Sequence, residues 1–239
     1  MNEQLLNPTY ESTAFAGQRP VAEYFRQVFL WMAVGLAITA GTAYKVAATS
    51  ALTKSIISNP AAFYILLFGS ICILFSLRWV EGNLSAHATA VVFLLYSAIN
   101  GLSFSVLFFA YTHKSISQVF AVAAVMFGSL AVYGFFTNRF LLGIGQLCFT
   151  GLVGLLVVST VNFFLGNEAL QWASSVVGVL IFSGFIVYDT SKLREYALAN
   201  GSNTGDENVQ KAAILGALKL YLDFVNLFLM LLRLLGRRR

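Results

Sequence analysis

Charge is scarce in this chain of 239 residues. Asp, Glu, Lys and Arg together make up 10% of it, where a soluble domain carries roughly 25%. That excludes an ordinary water-soluble domain. Proline is rare as well: three occur, and none follows Pro60. The two cysteines, Cys72 and Cys148, lie inside apolar runs, so they suggest neither a disulfide framework nor a thiolate metal site. No P-loop, dinucleotide fingerprint, HExxH or CxxC is present, so no cofactor is expected, and no nucleic-acid partner either. What the chain has in quantity is apolar surface: 58% hydrophobic residues, 15% aromatic. It is an integral membrane protein whose first partner is the lipid bilayer.

A bilayer core of about 30 Å takes roughly 20 apolar residues per helix. Stretches free of Lys, Arg, Asp and Glu run over 27–44, 55–77, 82–113, 115–138, 140–167 and 169–188. A further segment, 212–235, is apolar but carries Lys219, Asp223 and Arg233. Such long uncharged runs leave no room for the alternating pattern of a barrel. The expectation is an all-α integral membrane protein, a bundle of seven transmembrane helices at about 27–44, 57–78, 88–110, 116–137, 142–164, 170–190 and 212–235. These form one domain, 25–239, after an N-terminal segment 1–24 with no sign of a cleaved signal peptide. The polar stretch 191–211, "SKLREYALANGSNTGDENVQK", reads as a solvated loop.

Basic residues orient the bundle. An N-terminus in the cytoplasm places Arg19, Arg26, Arg78, Arg139, Lys192, Arg194 and Lys211 inside and Lys45, Lys54 and Lys114 outside. If the last segment crosses fully, Arg233 and Arg237–Arg239 join the outer side and the bias vanishes. If it enters and returns, the bias grows. Charge therefore favours an atypical last segment, and the side of the C-terminus stays open. The terminal arginines suit an anionic lipid surface.

Ten residues are acidic, and eight of them fall in termini or loops; Asp189 and Asp223 remain in or at the edge of apolar segments. Asp223 has 11 residues of its segment before it, which places it roughly 16 Å deep at about 1.5 Å per residue. An isolated carboxylate there costs several kcal/mol, so it must be protonated, paired or wet. At 100° per residue, Asp189 shares a stripe with Phe182 and Gly178, and Asp223 shares one with Gly216, Lys219, Asn226 and Met230. These small or polar faces suit the bundle interior. Two carboxylates in contact share a proton, and such a pair responds to pH. The plainer alternative is that Asp189 caps its helix beside Lys192 while Asp223 pairs with Lys219. Arg78 is either a snorkelling residue or a counter-charge. His87 and His113 bracket the third span at opposite ends, too far apart to share a metal.

The segments "FLWMAVGLAITAGTAY", "AINGLSFSVLFFAYT", "FGSLAVYGFFTNRFL", "GLVGLLVVSTVNFFL", "IVYDTSKL" and above all "LYLDFVNLFLMLLRLLGRRR" carry a resemblance. The chain resembles the Bax inhibitor-1 family (transmembrane Bax inhibitor motif family), in its bacterial branch. The resemblance implies a central last helix surrounded by six others, and a pH-sensitive calcium leak. It implies that Asp189 in "VYDT" and Asp223 in "YLDF" form the proton-sharing gating pair, with possible transient calcium contact. It also implies that Arg78 is the candidate latch. Lys219 and Asn226 are secondary candidates beside the pair. The loop between the aspartates looks longer and more polar than in compact bacterial members. The location implied is a bacterial inner membrane, with calcium and protons as the small partners.

Two other classes compete. An intramembrane aspartyl protease would also use two aspartates on adjacent spans, but "YLDF" lacks the expected glycines and no later proline motif exists. A non-transporting regulator acting through protein partners has only the 197–211 stretch and the basic tail in its favour. "Gly101-Leu102-Ser103-Phe104" matches a fragment of a rhomboid nucleophile motif, but such patterns are common packing features. The expectation is a protein that is not an enzyme.

Overall fold

In the computed structural model, the described residues are 8–49, 85–137, 141–200 and 206–238. They form α1 (Pro8–Ala48), α2 (Ala86–Phe104), a short α3 (Leu107–Ala110), α4 (His113–Phe136), α5 (Leu142–Leu165), α6 (Glu168–Asn200) and α7 (Glu207–Leu235). Six helical stretches among them are long and apolar enough to cross a membrane: Pro20–Ala48, Ala86–Ala110, His113–Phe136, Leu142–Leu165, Glu168–Asn200 and Glu207–Leu235. The chain is thus an all-α, multi-pass membrane protein. The span expected at 57–78, and Arg78 with it, lies outside the described residues.

Local chemistry marks the helix ends. Ser85 accepts from the Ala88 N–H to cap α2, Thr112 does the same for α4 through Ser115, and Asp206 caps α7 through Asn208. Glu207, in the first turn of α7, also accepts from the Ala86 N–H at 3.1 Å, so one carboxylate serves two helix starts. Gly166 ends α5 with φ 62°, a left-handed conformation that glycine takes without a Cβ penalty. Inside the helices, Ser97, Thr160 and Ser183 donate back to the carbonyl four residues earlier, which satisfies hydroxyls where water is scarce.

Helix α7 is the hub. In its most apolar 18-residue window 72% of residues are buried, against 11% for α5, and α7 packs on α1, α2, α4 and α6. Tyr24 donates to the Ala212 carbonyl and Thr39 meets Tyr221, so α1 runs parallel to α7. Helix α2 runs the same way, with Gly101 beside Thr39. Helix α6 runs opposite: its Leu193 packs at Gly216 and its Gly178 at Met230. Close backbone approach needs glycine at Gly134 on α4, where a Cβ would meet the Val187 carbonyl oxygen of α6 at 2.6 Å.

Two expectations need correction. Most of the stretch 191–211, expected to be a loop, is helical: α6 continues to Asn200 and α7 starts at Glu207. Leu193 and Ala197, four residues apart, are buried, the Tyr196 ring lies 5.6 Å from that of Tyr24, and Lys192 pairs with Glu195 at 2.7 Å. Polar composition masked an amphipathic helix. At the other end of the chain, α1 starts well before residue 27. Val21, Tyr24, Phe25 and Val28 form its buried stripe, while Glu23 and Arg26 pair on the exposed side at 2.6 Å. A criterion of uncharged runs misses a helix whose charges all lie on one face.

The last segment, whose path the charge count left open, is one continuous helix long and apolar enough to cross a membrane. Arg238 bridges Tyr111, the Arg237 carbonyl accepts from the Thr112 N–H, and the Arg237 N–H donates to Ser115 Oγ at 2.9 Å. Those partners lie at the end of the bundle remote from Glu207 and Ala86. Asp223 is buried in the α6–α7 seam, Lys219 opens into a cavity and Arg233 lies in the last turn, so its charges do not force it back. The four arginines from Arg233 onward then balance the earlier bias, seven against seven.

Candidate functional site

Asp189 sits on α6 eleven residues before the helix ends, so it is no terminal cap, and Lys192 is engaged with Glu195 instead. Asp223 lies near the middle of α7, 7% exposed. The antiparallel packing of the two helices brings the two carboxyl groups close enough to act on each other. The oxygen Oδ2 of Asp223 is buried and has no hydrogen-bond partner among the described residues. A buried acceptor without a partner costs about 1–3 kcal/mol, more if charged. The ion pairs among the described residues are Glu23–Arg26 and Lys192–Glu195, so the expected Asp223–Lys219 alternative is not formed.

Both aspartates line an open cavity of about 940 Å³ between α5, α6 and α7. Its walls include Gln146 and Thr150 from α5, Phe182, Phe185 and Tyr188 from α6, and Lys219, Leu222 and Asn226 from α7. Lys219 is one turn before Asp223 and is exposed. It acts electrostatically on both carboxyls. Asn226 also faces the cavity but spends its Nδ2 on the Leu222 carbonyl of its own helix, at 2.9 Å. Among the described residues no third His, Cys, Asp or Glu joins the pair to make a metal cluster. Two carboxylates fall short of the 6–8 oxygen ligands calcium takes. Chemically, then, the site offers two hard, acidic ligands in an open, largely apolar recess beside one ammonium.

A second polar cluster was not anticipated. Tyr221 is fully buried, and its hydroxyl meets Thr39 Oγ1 at 2.7 Å; Thr39 Oγ1 also lies 2.9 Å from the Ser97 and Gly35 carbonyl oxygens. Asn100, 7% exposed, is close by on α2. Two residues apart on a helix means faces 200° apart. So α7 presents Asp223 to α6 and Tyr221 to α1 and α2. The signal was Tyr221 itself, a buried phenol that needs a partner, but nothing in the sequence named Thr39. His113 stacks on Phe108 with centroids 5.2 Å apart, and His87 lines a separate recess with Trp31.

A polytopic helical bundle with a central last helix and an acidic pair in its α6–α7 seam defines the class. The family model described as "Inhibitor of apoptosis-promoting Bax1" matches residues 21–239. The chain is 43% identical over 217 residues to "Inner membrane protein YbhL" of Escherichia coli (strain K12), covering 90% of this chain and 92% of that one. It is 38% identical to a protein of Deinococcus radiodurans over 212 residues, 89% of each. An "Uncharacterized membrane protein" of Streptococcus pyogenes serotype M1 is 30% identical over 220 residues, 90% of this chain and 93% of that one. The chain belongs to the Bax inhibitor-1 family.

Proposed function

We propose that the protein is a passive, pH-sensitive calcium leak of the bacterial inner membrane, gated by Asp189 and Asp223. The carrying observation is the buried Asp223 Oδ2, without a hydrogen-bond partner among the described residues, in a side chain that lines an open cavity together with a second carboxyl. A proton shared between the two acids supplies the missing hydrogen bond and ties α6 to α7. When it leaves, two negative charges repel across the same seam. The seam loosens, and hard carboxylate oxygens become available to calcium. With only two such side chains, water keeps most of the ion's coordination, which favours passage over storage. Calcium is cargo here; no resident cofactor and no catalytic step are required.

The N-terminus is assigned to the cytoplasm. The chain before α7 carries a six-to-three excess on that side, with Lys211 at the start of α7 as the seventh, and earlier spans generally dominate insertion. The acidic pair then opens towards the cytoplasmic half.

In proteoliposomes, Asp189→Asn and Asp223→Asn are each expected to change calcium flux and to flatten its dependence on pH. An unaltered flux and pH profile in both variants refutes the mechanism. Two adjacent carboxyls also meet the first geometric demand of an aspartyl protease. Cleavage of a transmembrane peptide by the parent, and by neither Asn variant, would move the assignment there. Absence of flux from active, folded protein would favour a regulator that works through protein partners.

A further inference from the structure

The cavity walls carry three ionisable charges from two helices: Asp189 of α6 and Lys219 and Asp223 of α7. From α5 come no charges: its polar groups there, Gln146 and Thr150, are neutral and sit among apolar side chains. Lys219 is exposed to this recess and lies about 6 Å below Asp223 along the helix axis, by the rise of four residues. It is in neither of the ion pairs among the described residues, yet its charge is felt by both aspartates. Lys219 thus stands close to the acids without being tied to either.

Charge arithmetic gives this arrangement a consequence. With one proton shared, the acids sum to −1 and Lys219 brings the cavity to zero. Without that proton they sum to −2, and the cavity holds −1. Were Lys219 neutral, the same states would carry −1 and −2. An electrically neutral recess is the least costly one to keep within a membrane, and a less negative one attracts cations less.

We infer that Lys219 is the built-in counter-cation of the α5–α6–α7 cavity: it neutralises the closed site, and a permeating divalent cation must push past it to reach the acids. Lys219 is therefore a specificity-determining residue that holds the site's cation affinity low. The inference rests on the proposed leak function and adds the residue that limits it. A flexible four-carbon stem suits the role, because the ammonium withdraws without moving the helix.

The test measures calcium-dependent flux in proteoliposomes at neutral pH for the parent, Lys219→Gln, Lys219→Arg and Asp223→Asn. Removing a unit charge about 6 Å from a divalent ion corresponds to about tenfold in affinity under the full screening of water, the smallest effect expected in a partly wet site. Lys219→Gln is expected to lower the half-saturating calcium concentration by at least that factor, with Lys219→Arg staying within twofold of the parent. Lys219→Cys gives a second arm inside protein already folded in the membrane. A thiol reagent carrying an ammonium restores the parent value, while a neutral reagent of the same size does not; the parent, with Cys72 and Cys148, receives both as a control. A merely structural lysine would not distinguish the two reagents. If Lys219→Gln and both modified forms match the parent while Asp223→Asn alters flux, the inference is overturned and the leak reading stands. If Asp189→Asn and Asp223→Asn also leave flux unchanged, both fall.

Discussion

Asp223→Asn tests the acidic pair by stability, independently of any flux. In the folded chain Asp223 is 7% exposed, its Oδ2 has no hydrogen-bond partner among the described residues, and the Asp189 carboxyl is close enough to act on it. Ionising both acids therefore sets two negative charges against each other in a buried seam. The amide of asparagine removes one charge and gives the Asp189 carboxylate an N–H donor. A hydrogen bond to a charged group contributes about 1.5–3 kcal/mol. For a chain of this size each kcal/mol moves the melting temperature by roughly 2–4 °C. The expected gain is thus roughly 3–12 °C in detergent at pH 8, a stabilisation obtained by deleting a buried acid. It should shrink at pH 5. Acid favours the shared proton, which leaves less repulsion for the substitution to relieve. Thermal unfolding of both proteins at the two pH values measures it. A variant less stable than the parent at pH 8, or a gain equal at both pH values, refutes the idea that the two acids compete for one proton.

Two further expectations concern the fold. Leu193→Ala removes a buried side chain that packs at Gly216 and should cost about 2–3 kcal/mol, seen as a lower melting temperature; no change would mean that residues beyond 190 contribute nothing to the bundle. Reporters fused at the C-terminus and inserted within 201–205 should register opposite sides of the membrane, because Arg237 and Arg238 dock at Thr112, Ser115 and Tyr111, remote from Glu207; same-side labelling would contradict a fully crossing α7.

Much of the candidate site was legible in the chain because charge is so rare in it. Only two acids lay in or beside apolar runs, and helical phase put each on a polar or small-residue stripe, so Asp189, Asp223, Lys219 and Asn226 could be named in advance. Lys219 as an unpaired wall of a cavity could not, since spacing of four residues permits an ion pair as readily as it permits none. The cluster of Thr39, Ser97, Asn100 and Tyr221 was invisible, because isolated hydroxyls in apolar helices usually bond to their own backbone. That Thr39 reaches Tyr221 is a matter of which helices touch.

Composition and run length alone decided that the chain enters a membrane and crosses it repeatedly as helices, since each backbone hydrogen bond in lipid must close within its own segment. Those are local requirements. What only the tertiary structure decided is non-local: that α7 occupies the centre, that α6 carries on past residue 190, that the basic tail is pinned at the far end, and that two acids 34 positions apart share one seam. A helix with Lys219, Asp223 and Arg233 is a poor span by itself. It becomes a good one once α6 covers Asp223 and a cavity receives Lys219, and no residue of α7 reports those neighbours.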